Sequence, residues 1–219
     1  MMWFYKKILI YRLYIGIVLL IGSIALAIIG DNWGWFSLCL TIGLIAFVSH
    51  FLFGPLRLIQ EAVQAGDMAT ADKYLKMVQF PKLLIKPVRQ GYYMIKSNMA
   101  MQNKDFNTAE GFLKESIKSK SSLAGEEFEG ASYLQLGMLA MQKGDRKEAK
   151  RNLKQALAKG LPDDDSMAAA LLQLSSIEIQ GRQLKQGKEY FKKAKKLKPQ
   201  SKEIKEQLAQ MGKYISRVR

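Results

Sequence analysis

A single histidine, His50, and a single cysteine, Cys39, are all the chain offers of the side chains that most often carry proton transfer, nucleophilic attack or soft-metal ligation. One of each cannot build a Cys/His metal cluster, and no intramolecular disulfide can form. The acidic run Asp163-Asp164-Asp165-Ser166 has the residue types of a hard-cation site. Its place after Pro162 and before an apolar stretch reads instead as a helix N-cap, where a carboxylate accepts free backbone N–H groups and answers the helix dipole. Glu126, Glu127 and Glu129 read the same way, as an acidic first turn. His50 falls near the end of an apolar run, where a lone imidazole is an interface residue rather than a proton relay, and Asp31 sits between two such runs. No glycine-rich phosphate loop occurs. Neither enzymatic chemistry nor a metal or other cofactor is expected, so function has to come from binding.

Charge is the first binding signal. The chain carries +15 overall, and residues 182–219 hold 13 Lys or Arg against 3 Glu. Lys185, Lys188, Lys192, Lys193, Lys195, Lys196, Lys198, Lys202 and Lys205 form the candidate basic patch. It can be a solvated face with snorkelling stems, a contact for anionic lipid, a contact for RNA such as a ribosome surface, or a contact for an acidic protein. No stacking aromatic is interleaved in 192–198, which weighs against nucleic acid.

Two apolar runs come first among the elements. Residues 13–30 are 18 residues without a charge, about 27 Å as a helix, against a hydrocarbon core of ~30 Å. Residues 32–56 carry no formal charge over 25 residues. Neither run has a polar face, so two transmembrane helices are expected at about 13–30 and 34–55. Asp31-Asn32-Trp33-Gly34-Trp35 is the turn between them, and Trp3, Phe4, Tyr5, Tyr11, Tyr14, Trp33 and Trp35 suit the headgroup layers. Ser23 and Ala27, one turn apart, mark a helix contact. Lys6, Lys7 and Arg12 precede the pair and Arg57 follows it, which predicts both termini on the cytoplasmic side. Ala25-Leu26-Ala27 also resembles a small-x-small processing site, so a cleaved signal peptide is the rival reading. The second run is expected to continue past Gly54-Pro55 as the first helix of the next region, with Pro55 as the weak point.

Ala, Leu, Met, Lys, Gln and Glu dominate the rest, and prolines number five, so the fold class is all-α. Gly144-Asp145 leads to Ala149, Leu153 and Ala156; Gly66-Asp67 leads to Ala71, Leu75 and Val78. Lys104-Asp105 leads to Ala109, Leu113 and Ser116, and the last copy has Gly187, Phe191, Ala194 and Pro199. Positions 71, 109, 149 and 187 are 38, 40 and 38 residues apart. Small, large, small on one face lets a neighbouring helix approach and fills the groove between. The third copy adds Tyr133, Leu136, Gly137 and Ala140 before, and Pro162 after. The fourth adds Leu171, Leu174 and Ser175, the second Tyr93, Ser97 and Ala100, and the first opens through Leu58 and Val63. This pattern resembles the tetratricopeptide repeat over about 58–199, with lengthened loops at 118–125 and 160–165.

The resemblance implies a stack of helical hairpins whose first helices line a concave groove. The matching positions are Met94, Asn98 and Met101, then Leu134, Met138 and Met141, then Leu172, Ser176 and Ile179. Methionine suits varied apolar helices, though the same residues can simply pack against a neighbouring helix. The Lys/Asn/Arg clamp by which some members hold a C-terminal carboxylate is not matched. Ile204, Leu208, Met211, Ile215 and Val218 form one stripe on a last helix after Ser201, which caps the stack or docks a partner. Lys202, Lys205, Glu206, Gln207, Gln210 and Lys213 are its expected outer face. The chain thus reads as an anchor (1–57), about four hairpins (58–199) and a basic capping helix (200–219). The expected role is a scaffold for other, membrane-bound subunits, an accessory or assembly subunit of a bacterial inner-membrane complex with a cytoplasmic groove. The alternative is a ribosome- or RNA-contacting accessory factor of membrane-protein insertion or secretion.

Overall fold

A computed structural model describes residues 2–29, 33–53, 55–119 and 125–217, without the side chains of residues 2–6, 8–10 and 29. The expectations for Trp3, Phe4, Tyr5, Lys6, Gly30, Asp31, Asn32, Gly54, residues 120–124 and Val218 fall outside the described residues. Among the described residues eleven α-helices follow one another: α1 Met2–Ile29, α2 Trp33–Phe53, α3 Leu56–Gln64, α4 Met68–Lys76, α5 Lys86–Gln102, α6 Phe106–Lys118, α7 Glu126–Gln142, α8 Arg146–Lys159, α9 Asp164–Gln180, α10 Leu184–Lys196 and α11 Lys202–Arg217. A short 3-10 turn, Pro81–Leu83, lies between α4 and α5. No strand occurs among the described residues, so the fold is all-α as its composition demands. Two compact units divide the chain, Met1–Tyr92 and Tyr93–Arg219.

In the first unit α1 and α2 pack through small residues. A Cβ on Gly16 would stand 2.9 Å from the Phe47 backbone nitrogen, and one on Gly43 3.1 Å from the Leu20 backbone nitrogen. Ser23 is fully buried and donates its hydroxyl to the Leu20 carbonyl at 2.7 Å, whereas Ala27 is exposed. The close contact therefore runs through Gly16, Ser23 and Gly43, two of them glycines that composition alone does not single out. Away from this seam both helices are apolar and outward-facing. Only 11% of Tyr11–Ile28 and 6% of Trp33–Phe53 is buried within the protein, and both stretches are long and apolar enough to cross a bilayer.

The continuous helix expected through Pro55 is not formed. α2 ends at Phe53 and α3 begins at Leu56, with Pro55 at its N-cap. Proline has no N–H for the carbonyl four residues back, so the helical ladder stops and a new one starts when Ile59 donates to the Pro55 carbonyl at 3.0 Å. α3 and α4 then close a small core of Leu58, Ile59, Ala62, Ala71 and Leu75.

The second unit stacks α6 on α7, α7 on α8, α8 on α9 and α9 on α10. Small residues again set the approach. A Cβ on Gly130 would fall on the Gly160 carbonyl oxygen at 1.8 Å, and one on Gly187 would meet Ile179 at 2.5 Å. Ser175 occupies a fully buried small position and donates to the Gly187 carbonyl at 2.8 Å. The core runs through Ala109 and Leu113, then Ala149, Leu153 and Ala156, then Leu174 and Ala194, each fully buried. Buried Glu129 pairs with Lys159 at 3.3 Å and buried Glu178 with Lys150 at 2.8 Å, which offsets the desolvation of each carboxylate. The ammonium of Lys159 is held above its ordinary range by that Glu129 bond.

One turn recurs four times. Gly66, Lys104, Gly144 and Arg182 have left-handed φ of 73°, 58°, 81° and 61°. The next residue sends its N–H back five positions: Asp67 to Ala62, Asp105 to Ala100 and Asp145 to Ala140 at 2.9 Å, and Gln183 to Glu178 at 2.8 Å. This reversal satisfies carbonyls left free at the helix end. Three of the four residues then cap the next helix, with Asp67, Asp105 and Asp145 accepting from Thr70, Thr108 and Glu148 N–H at 3.0, 3.1 and 2.9 Å. Gln183 makes no side-chain cap.

Candidate protein-binding face

The face begins with α7. Leu134 is buried in the core shared by α7, α8 and α9, while Met138 and Met141 are half-buried and pack against that core from its edge. Met101 packs in the same way against the Ala109–Leu113–Leu139 cluster. Met94 is half-buried and Asn98 exposed on α5. Three of the nine sequence-derived positions, Leu134, Leu172 and Ile179, are floor rather than rim, at 8%, 3% and 6% exposure.

On α9 the expected residues converge on a real concavity. Leu172, Ser176 and Ile179 line a cleft of about 370 Å³, closed on its other side by Gln207, Gln210, Met211 and Tyr214 of α11. Gln207 and Gln210 are expected on the outer, solvated face of the last helix; the structure places both on the rim of this cleft, Gln207 half-buried and Gln210 exposed. The reason is that α11 touches both α9 and α10. Its Ile204, Leu208 and Met211 fill the gap beside Leu171, Leu172 and Ala194, and the arc next to that stripe faces α9. Sequence reasoning missed Tyr214 as well. Its signal was its place beside Met211 and Ile215 on the same helix. The cleft combines an apolar floor with carboxamides from Gln173, Gln180, Gln207 and Gln210, and Gln180 donates to the Ser176 hydroxyl at 3.1 Å.

The acidic run 163–166 does cap a helix. Asp163 accepts from the Ser166 N–H at 2.6 Å. Its neighbours do something more: Asp164 accepts from the Lys198 N–H and Asp165 from the Ser201 N–H, each at 3.0 Å. The run therefore ties the start of α9 to the link that leads into α11. Among the described residues no three His, Cys, Asp or Glu side chains gather as a metal site. His50 is half-buried, edge-on to Phe51 at 5.4 Å.

The basic patch lies mainly on α10. Steps of three and four put Lys185, Lys188, Lys192, Lys195 and Lys196 on one face, with Lys193 beside it. Lys188 is half-buried and the others are exposed, as are Lys198, Lys202 and Lys205. Among the described residues only Lys202 of this set has an ion-pair partner, Glu206 at 3.9 Å.

A run of helical hairpins packed through small residues, ending in an amphipathic helix, defines a helical-repeat scaffold of the α-solenoid class. Within that class, a family model for the tetratricopeptide repeat matches residues 130–158 and 168–201, so the chain carries tetratricopeptide repeats over α7–α8 and α9–α10. That repeat is a protein-interaction fold rather than a catalytic one. The α3–α4 and α5–α6 turns, outside the matched residues, have the same geometry. Neither the curated proteins nor the solved structures yield a match to this chain.

Proposed function

We propose that the chain is a membrane-anchored scaffold. α1 and α2 cross a bacterial inner membrane as a hairpin with both termini cytoplasmic, and the hairpins hold another protein as an accessory or assembly subunit of a complex there. The observation that carries this reading is the outward apolar surface of α1 and α2 in a chain that also bears protein-interaction repeats. Arg12 supports the orientation, because its guanidinium donates to the Ser49 carbonyl at 2.8 Å, so the basic start of α1 lies at the end of α2 that leads to Arg57. Functionally the chain divides into the anchor 1–57, the hairpins 58–199 and the basic capping helix 200–219. Met94, Asn98, Met101, Met138, Met141 and Ser176 are the accessible contacts of the partner face.

Purification in mild detergent followed by mass spectrometry tests the reading by naming stoichiometric partners. Met138→Glu with Met141→Glu should remove those partners while helicity stays unchanged; an unaltered partner set would assign both methionines to packing. A cysteine at Ser216 should be shielded from labelling outside intact cells, and labelling there reverses the topology.

A second reading rests on the α10 lysines, of which all but half-buried Lys188 are exposed, with Glu189 as the one acidic side chain on that helix. They suit contact with ribosomal RNA, which would make the chain an accessory of membrane-protein insertion or secretion. They also suit anionic lipid or an acidic protein.

A further inference from the structure

The segment joining α4 to α5 turns large apolar side chains outward although it belongs to neither apolar helix. Phe80 is 55% exposed and Leu83 52%, while Leu84 beside them is buried. Lys82 and Lys86 are exposed, and neither has an ion-pair partner among the described residues. The segment is held in place rather than trailing. The Ile85 N–H donates to the Leu52 carbonyl at 3.1 Å, and the Arg89 guanidinium donates to the Lys82 carbonyl at 3.0 Å. The Phe80 ring centre lies 6.4 Å from that of Phe51.

Those contacts set a depth. Phe51 is eighteen residues beyond Trp33 on α2, about 27 Å of helix rise. The hydrocarbon core is ~30 Å thick. With Trp33 and Trp35 in one headgroup layer, Phe51 reaches the opposite boundary, and Phe80 stands beside it. Exposed apolar rings at that depth meet acyl chains, and the flanking ammonium groups meet lipid phosphates.

We propose that residues 79–86 form a membrane-interface seat, in which Phe80 and Leu83 insert at the headgroup–acyl boundary and Lys82 and Lys86 pair with lipid phosphates. This rests on the reading of α1–α2 as a transmembrane anchor. The seat continues the apolar surface of that anchor and holds the first turn of α5 at the bilayer surface.

The test uses the full chain in phosphatidylcholine–phosphatidylglycerol vesicles and an environment-sensitive thiol dye. Native Cys39 within α2 is the deep reference; Phe80→Cys, Leu83→Cys and Ser216→Cys are each made with Cys39→Ser. Dye at 80 and 83 should emit to the blue of dye at 216 and be quenched by lipids brominated near the headgroup. Dye at 39 should be quenched by lipids brominated along the acyl chain. Quenching at 39 with 80 and 83 behaving like 216 overturns the seat and leaves the anchor standing. No quenching at 39 overturns the anchor, and the seat with it. Within a working seat, Lys82→Glu with Lys86→Glu should shift the emission of dye at 83 to the red, and no shift would overturn the phosphate pairing.

Discussion

Lys104 and Arg182 occupy backbone positions that Gly66 and Gly144 fill in the other two turns, at φ of 58° and 61°. A left-handed residue with a Cβ costs about 1–2 kcal/mol, part of which glycine returns through its larger unfolded-state entropy. Lys104→Gly or Arg182→Gly should therefore stabilise the protein by about 0.5 kcal/mol, and Gly144→Ala should destabilise it by about 1 kcal/mol, read from thermal unfolding in detergent. A fall in stability for both glycine variants would mean that these turns are not strained. The aspartates beside them add a pH dependence. Asp67 and Asp105 are held below the usual carboxylate range by hydrogen bonds from the hydroxyls, and then the N–H groups, of Thr70 and Thr108, and Glu110 by bonds from Lys114 and Lys143. A depressed folded pKa contributes stability above the unfolded value and loses it as pH falls through the folded one. Melting temperature should thus drop below about pH 4, and Asp105→Asn, which keeps a capping oxygen without a titration, should flatten that drop. Glycine-aspartate pairs announced two of these turns in the sequence. The repeat register marks a third at Lys104-Asp105, whereas Arg182-Gln183 carries no mark, because side-chain type does not record a left-handed backbone that tertiary packing imposes.

At the scale of elements, periodicity located the helices but not the width of their buried arcs. The stripe Ile204–Leu208–Met211 was visible because α11 buries it in one gap. A stripe assumes one neighbour and α11 has two, so Gln207 and Gln210 also rim the cleft against α9, a role the stripe does not show, while Gln210 stays exposed. The acidic run was legible as a cap through Asp163, whereas the partners of Asp164 and Asp165 are backbone groups 34 and 36 residues away, beyond any local pattern. Those two bonds fix where α11 starts. Asp165→Ala removes the acceptor of the Ser201 N–H and should speed amide exchange across Lys202–Arg217 while leaving Arg146–Lys159 protected. Equal protection of α11 in both proteins would show that its apolar stripe alone holds it. Proline at 55 teaches the complementary lesson. The apolar run around it predicts one helix, and a single missing N–H makes two.

For the whole molecule, two surfaces of different chemistry lie on one chain, and their energetics separate them. On the proposed reading, the cleft between α9 and α11 and the methionines of α7 would bind by burial, which salt leaves nearly unchanged. The α10 face would bind by charge, since 182–219 holds most of the chain's net +15. Binding through counterion release makes log K fall with log salt by about 0.7 for each phosphate neutralised on a single strand. Lys192→Ala, Lys195→Ala and Lys196→Ala together should then reduce that slope by about two units in titrations with ribosomal RNA. They should leave the detergent-stable partners of the methionine face in place. The converse holds for Met138→Glu with Met141→Glu, which should remove those partners and keep the salt slope. If the unaltered protein binds no RNA even at low ionic strength, the lysines are a solvated face or serve another anion. If one set of substitutions abolishes both kinds of binding, the two surfaces serve a single partner that needs apolar and basic contacts together.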